Sequence, residues 1–311
     1  MDCASPQHFA PINSIYTLFN NNFLVLQEQQ TPLHIASRLG NVDIVVLLLQ
    51  SGAAVDAVTK DLYTALHIAA KEGQEEVAAI LMEHGASLPA ATKKGFTPLH
   101  LAAKYGNMKV AKLLISKQAP VDAEGKNGVT PLHVAVHYDN QNLAMLLLDK
   151  GASPHAVAKN GYTPLHISAK KNQIDIAKTL LDYEAKVDAE SKAGFSPLHL
   201  ASQEGHQEIA GLLISQGANI NAKAKNGLTP IHLCAQEDKT EVARLLVDSG
   251  ADCDAETKAG YTPLHVAAHF GQVNMVKFLL ANGVRVNVQN ELGYSPLHQV
   301  SDESFRKLNF Q

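Results

Sequence analysis

Apolar residues follow one rhythm along most of the chain. From Thr97 onward, Leu99, Ala102 and Ala103 fall at helical spacing and stop at Gly106; Val110, Ala111, Leu113 and Leu114 resume it before Ala119. This predicts two short amphipathic helices broken by a glycine, followed by a polar return loop. Thr97 is placed to cap the first helix, and Pro98 stands at its first position, where a missing N–H costs nothing.

The same pair recurs every 33 residues from Thr31 to Tyr294 without insertion. Its most regular marker is a histidine, at His34, His67, His100, His133, His166, His199, His232, His265 and His298, each closing a Thr/Ser-Pro/Ala-Leu/Ile-His tetrapeptide. A second-helix leucine recurs with it at Leu48, Leu81, Leu114, Leu147, Leu180, Leu213, Leu246 and Leu279. One unit is too small to bury its own leucine, so a core forms only when units stack. The break between the helices is Gly40, Gly73, Gly106, Gly205 or Gly271, and otherwise Asp139, Asn172 or Asp238, the residue types that best tolerate a left-handed backbone. Gln118 and Glu184 replace the glycine after the second helix, at some cost in strain. Leu62 interrupts a glycine column at the loop tips, and Ala65 replaces proline in the same unit, so a different turn shape is expected there.

A 33-residue period carrying this tetrapeptide resembles the ankyrin repeat. The implied fold is all-α, an ankyrin-repeat solenoid of helix-turn-helix units with protruding loop or β-hairpin fingers. The corresponding division is a non-repeat segment at 1–27, eight repeats over 28–294 and a truncated ninth at 295–311. Phe23 to Leu26 at one end, and Phe305, Leu308 and Phe310 at the other, are candidates to cover the terminal units.

Equivalent histidines one unit apart stand about 8 to 10 Å from each other, the distance between packed helices. That is too far for a shared zinc with nitrogens near about 2.1 Å. The histidines are instead expected to bond the Thr hydroxyl and a neighbouring backbone group. No nucleophile with its base, carboxylate pair or phosphate-binding loop stands outside the repeat pattern, so neither an enzyme nor a cofactor is expected. Cys3, Cys234 and Cys253 fit no disulfide framework or zinc spacing, which suggests a reducing compartment. The N-terminus lacks the look of a secretory signal, and no apolar run is long enough to span a bilayer, so a soluble intracellular protein is expected.

The net charge of -4 hides a division. Residues 93 to 192 hold 14 of the 26 basic residues against 9 of the 30 acidic ones, +5, and the remainder holds 12 against 21, -9. Charges farther apart than about 8 to 10 Å are screened, so the two kinds of region can recruit partners separately. The acidic balance and the lack of a reading motif argue against nucleic acid.

Removing the scaffold columns leaves the fingers and the first-helix ends. A finger column is lysine at Lys60, Lys93, Lys126, Lys159, Lys192, Lys225 and Lys258; its neighbour is mostly aromatic and includes Phe96 and Tyr162. Both recur with the repeat and read first as solvated lysines and aromatics packed at the finger base. First-helix ends vary more. Lys104 and Tyr105, His137 and Tyr138, and Lys170 and Lys171 make a basic-aromatic run over three consecutive units, Gln203, Glu204, Gln236 and Glu237 follow, and then come His269 and Phe270. Such a run suits an extended acidic protein segment with apolar anchors, although any single pair can equally be a solvated helix end.

Beyond the repeat consensus, EQQTPLHIASRLGN (Glu28 to Asn41), ATKKGFTPLH (Ala91 to His100), HYDNQ (His137 to Gln141), KGASPHAVAKNGYTPLH (Lys150 to His166), ASQEGH (Ala201 to His206) and CAQED (Cys234 to Asp238) resemble the later repeats in the membrane-binding region of the ankyrin family of spectrin adaptors. The resemblance covers residues 28 to about 299. It implies cytoplasmic segments of channels, transporters and adhesion molecules as partners, held in the inner groove at the inner face of the plasma membrane, with spectrin attached indirectly and no insertion into the bilayer. The family's spectrin-binding and death domains are not in this sequence, so the chain resembles a fragment, short isoform or shortened paralogue. From the repeats alone, the alternative is a soluble regulatory module that binds a folded signalling or transcription partner.

Overall fold

The chain divides into two compact units, residues 1–126 and 127–311. A computed structural model describes residues 29–299, so the non-repetitive start and the candidate end covers at Phe23 to Leu26, Phe305, Leu308 and Phe310 lie outside the described residues. In the first unit, α1 (Pro32–Leu39), α2 (Val42–Gln50), α3 (Ala65–Glu72), α4 (Glu75–Glu83), α5 (Pro98–Tyr105) and α6 (Met108–Ser116) form three helix pairs. In the second, α7 (Pro131–His137), α8 (Gln141–Asp149), α9 (Pro164–Lys171), α10 (Ile174–Asp182), α11 (Pro197–Glu204), α12 (Gln207–Ser215), α13 (Pro230–Gln236), α14 (Thr240–Asp248), α15 (Pro263–Phe270) and α16 (Val273–Ala281) form five, followed by a 3-10 turn at Pro296–Gln299. No strand occurs among the described residues, and the fingers are turns.

The first helices begin where the sequence puts a Thr or Ser before the tetrapeptide. In α5, the Thr97 hydroxyl accepts from the His100 backbone N–H while the His100 ring accepts from the Thr97 N–H, a capping box closed by histidine rather than glutamate. Ala65 in place of proline leaves the same box intact at Thr64 and His67. Left-handed residues end these helices or follow directly: Gly106 at φ 71°, Asn172 at 57°, Asp139 at 61° and Asp238 at 54°. The aspartates and the asparagine thus take the glycine conformation, as their residue type allows.

Within each unit, first helices pack on first helices and second helices on second helices. The leucine column lies between the latter. Leu81 and Leu114 are fully buried in the first unit, as are Leu147, Leu180, Leu213, Leu246 and Leu279 in the second, while Leu48 is half-buried.

Finger turns are also tied to one another. The Lys159 N–H donates to the Asn127 carbonyl at 2.7 Å, Lys192 to Asn160 at 3.0 Å, Lys225 to Ala193 at 3.0 Å and Lys258 to Asn226 at 3.1 Å. This close approach explains the tip glycines: a Cβ on Gly161 would lie 2.2 Å from the Lys192 nitrogen, in a backbone already at φ 84°. The expected change of turn shape at Leu62 is not found. Leu62 adopts φ 61° and donates to the Thr59 carbonyl at 2.9 Å, as Gly95 does to Thr92 at 2.7 Å. The pull of the neighbouring Lys93 N–H on the Asp61 carbonyl, at 3.0 Å, helps hold a leucine in a conformation that costs about 1 to 2 kcal/mol.

Leu147→Ala will therefore destabilise the second unit by about 2 to 5 kcal/mol through a cavity between α8 and its neighbours. Urea unfolding followed by circular dichroism measures it, and an unchanged midpoint would remove the leucine column from the core. Gly161→Ala, at a finger tip buried against the next finger, will cost more than about 1 kcal/mol because strain and the clash with that finger add.

Candidate functional site

The ladder histidines from His34 to His265 sit in buried positions whose polar surroundings are set by the cap, while His298 is exposed. In the second unit the Thr163 N–H donates to His166 Nδ1 at 3.1 Å, with the Thr163 hydroxyl 2.9 Å from the same nitrogen. His166 Nε2 lies 2.9 Å from the Phe195 carbonyl in the next finger. The pattern repeats: His133 reaches Tyr162, His199 Leu228, His232 Tyr261 and His265 Tyr294, and in the first unit His34 reaches Tyr63 and His67 Phe96. A backbone N–H can only donate and a carbonyl can only accept, so Nδ1 is bare and Nε2 carries the proton. With both nitrogens engaged, these imidazoles are joints rather than ligands.

The finger aromatics share in this joint. The Phe96 ring stacks on His100 at 5.1 Å and the Tyr162 ring on His166 at 5.2 Å, while their carbonyls accept the preceding histidines. Both aromatics are half-buried at the finger base. Phe96 is thereby placed in the scaffold. Tyr162 has a second exposure, described next.

A groove of about 570 Å³ runs along the second unit. Val129, Ala158, Tyr162 and Ile167 give it an apolar wall, and Lys159, Lys170, Lys171, His137 and Glu204 surround it. Three of the candidate first-helix residues, His137, Lys170 and Lys171, thus meet in one place with Tyr162. The Lys171 ammonium donates to the His137 carbonyl at 2.7 Å, and Lys170 stands 3.8 Å from Glu204. Partial burial, and then the Lys171 charge, hold the His137 pKa below its usual value. Tyr138 is 47% exposed, its ring 4.9 Å from His137 and edge-on to it. His269 and Phe270 pair edge-on at 5.0 Å at the end of α15.

Lys104 and Tyr105 belong to the first unit. Tyr105 is 45% exposed, with the Lys104 ammonium 5.1 Å and the Lys71 ammonium 5.8 Å from its ring centre. The first unit also has a smaller groove of about 220 Å³, lined by Tyr63, Ile68, Arg38, Lys60, Lys71, Asp61 and Glu72. These positions correspond, three repeats earlier, to those around the larger groove. Here Glu72 pairs with Lys71 at 3.0 Å and Asp61 with Lys93 at 3.2 Å.

A family model described as ankyrin repeats, in three copies, matches residues 3–91, 88–158, 151–224 and 212–290. The chain belongs to the ankyrin-repeat family. A comparison with curated proteins gives no match. Ankyrin repeats are protein–protein interaction modules, so the chain's partners are proteins. Among the described residues, no helix is long and apolar enough to cross a membrane.

Some contacts of these ankyrin repeats escape the sequence reading. Asn107 Nδ2 donates to the Ala70 and Lys71 carbonyls at 2.8 Å each, and Gln272 Nε2 to the Gln236 carbonyl at 2.7 Å, closing first-helix ends from the next repeat. In the fingers, Asp188 and Asp254 accept from the Asn219 and Arg285 N–H groups at 3.0 Å. A polar residue stands at Asn41, Gln74, Asn107, Asn140, Gln173, His206, Lys239 and Gln272, and that column was the available signal. Lys159, Ile167 and Glu204 were not singled out as groove residues because each looks ordinary within its own repeat.

Burial pushes His67, His166, His199 and His232 down to about 4, the backbone bonds opposing it only in part. An unfolded chain takes up these protons near 6.5, the folded chain only near 4. The stabilisation is therefore complete above about 6.5 and is lost as pH falls from there toward 4. Between pH 6.5 and 5, unfolding free energy will drop by up to about 1.4 kcal/mol per pH unit for each such histidine. Urea titrations across that range check it, and a flat profile would contradict the buried neutral imidazoles.

Proposed function

We propose that this protein is a non-enzymatic scaffold that docks extended segments of other proteins in its ankyrin-repeat grooves, with the second-unit groove as the principal site. The observation that carries the reading is the meeting of His137, Lys170 and Lys171 with Tyr162 and Ile167 in one groove, cationic around an apolar wall. Acidic segments with an apolar or aromatic anchor fit it, the anchor supplying buried area and the charges supplying orientation and encounter rate. Lys104 with Tyr105 in the first unit, a cation-aromatic pair, and the edge-on rings of His269 and Phe270 in the second offer further exposed contact points. Phe96 contributes by fixing its finger.

The finer reading is an ankyrin-like adaptor. The residues of Glu28 to Asn41, Lys150 to His166 and Ala201 to His206 resemble the membrane-binding region of spectrin adaptors outside the repeat consensus, which supports cytoplasmic tails of channels, transporters and adhesion molecules as partners. In this reading spectrin is an indirect partner, and the protein works at the inner face of the plasma membrane without entering the bilayer.

Crosslinking mass spectrometry on membrane fractions tests this directly. Crosslinks from Lys159, Lys170 or Lys171 to cytoplasmic tails of membrane proteins are expected; crosslinks confined to folded nuclear or signalling factors would replace the adaptor with a regulatory module. Against a tail so identified, Lys170→Glu with Lys171→Glu will weaken binding by roughly tenfold or more at low salt and less at high salt. Tyr138→Ala will weaken it at every salt concentration. Neither variant will shift the melting temperature by more than a degree or two, because these side chains are outside the core. Unchanged affinity in both, with the fold intact, returns the residues to a solvated face.

A further inference from the structure

The charge around the second-unit groove belongs to its particular residues and not to the architecture. At the equivalent places in the first unit stand Asp61, where the second unit has Asn160, and Glu72, where it has Lys171. The second-unit groove therefore gathers three ammonium groups, Lys159, Lys170 and Lys171, against a single lining carboxylate, Glu204. His133 is neutral through its two ladder bonds, and burial holds His137 toward the neutral form. Two positive charges are left over.

Their donors are largely unspent. Lys159 makes no side-chain bond among the described residues, and Lys171 uses one of its three N–H groups on the His137 carbonyl. A carboxylate ligand would bring one negative charge and leave one cation unmatched. A phosphomonoester carries about 1.5 to 2 negative charges at neutral pH and three strong acceptor oxygens, which matches both the charge and the donor count. Free phosphate would leave Val129, Tyr162 and Ile167 wet, and a nucleic-acid phosphodiester brings only one charge per group. We infer that the second-unit groove selects a phosphorylated segment of a partner protein, the phosphomonoester seated among Lys159, Lys170 and Lys171 and the flanking apolar side chains laid on Val129, Tyr162 and Ile167. This rests on the reading of the groove as a docking site for a protein segment, and names the modification that site prefers. Phosphorylation of the partner would then switch binding on.

Fluorescence anisotropy with the full chain tests it, using three degenerate peptide libraries alike except for a fixed central phosphoserine, glutamate or serine flanked by apolar-rich positions. The phosphoserine library is expected to bind about tenfold or more tighter than serine and several-fold tighter than glutamate. Lys171→Glu should abolish that preference. Lys159→Gln, an exposed change distant from any core contact, should reduce it by about fivefold with the melting temperature unchanged. Equal binding of all three libraries overturns the phosphate preference and leaves the docking reading standing. Failure of all three overturns both. Displacement of the phosphoserine library by millimolar inorganic phosphate as fully as by excess peptide, or by a single-stranded oligonucleotide, overturns the assignment to a protein segment.

Discussion

The imidazoles of His34, His67, His133, His166, His199, His232 and His265 each bond in two directions at once, and the rest of the structure depends on that. On one side, Nδ1 accepts the N–H and hydroxyl of its own cap, which starts the first helix; on the other, the Nε2 proton reaches a finger carbonyl 29 residues further on, as His166 does to Phe195. A single side chain thus links the beginning of one helix to the position of the next finger. A neutral ring with one donor and one acceptor is the only form that satisfies both. Burial enforces that form, since charging the imidazole would cost solvation and set a proton against two donors.

Once the fingers are placed, their spacing dictates other columns. The lysine backbone reaches the preceding finger, the tip glycine makes room for it, and the lysine side chain is left outside. The same logic places the leucine column between second helices and leaves first-helix ends at the surface. Function is then written in the positions without a scaffold duty. The two grooves show this: the lining carries three cations against two carboxylates in the first unit and three lysines against one carboxylate in the second.

The fold was largely legible because each repeat states it again: helix starts at Thr-Pro-Leu-His, breaks at glycine or at Asp139, Asn172 and Asp238, and the leucine column are local patterns with local causes. That the histidine would bond its threonine and a backbone group was also legible, but the carbonyl it reaches lies in the next repeat. Leu62 misled, because side-chain preference at one position was outweighed by hydrogen bonds along the fingers. The groove was legible only in part. Reading helix ends in register found His137, Lys170 and Lys171, whereas Lys159 and Ile167 reach the same groove from a different segment of the repeat, a meeting that one-dimensional columns do not display. Lys104 and Tyr105, in register with them, fall in the other compact unit.

The histidine joint can be observed atom by atom. Long-range 1H–15N correlation spectra of the imidazoles, recorded from pH 7.5 down to 5.5, report which ring nitrogen carries the proton. The account predicts a bare Nδ1 and a protonated, slowly exchanging Nε2 for His67, His166, His199 and His232 throughout that range. Nδ1-protonated rings, or ring shifts that titrate near 6.5 in the folded protein, would contradict it.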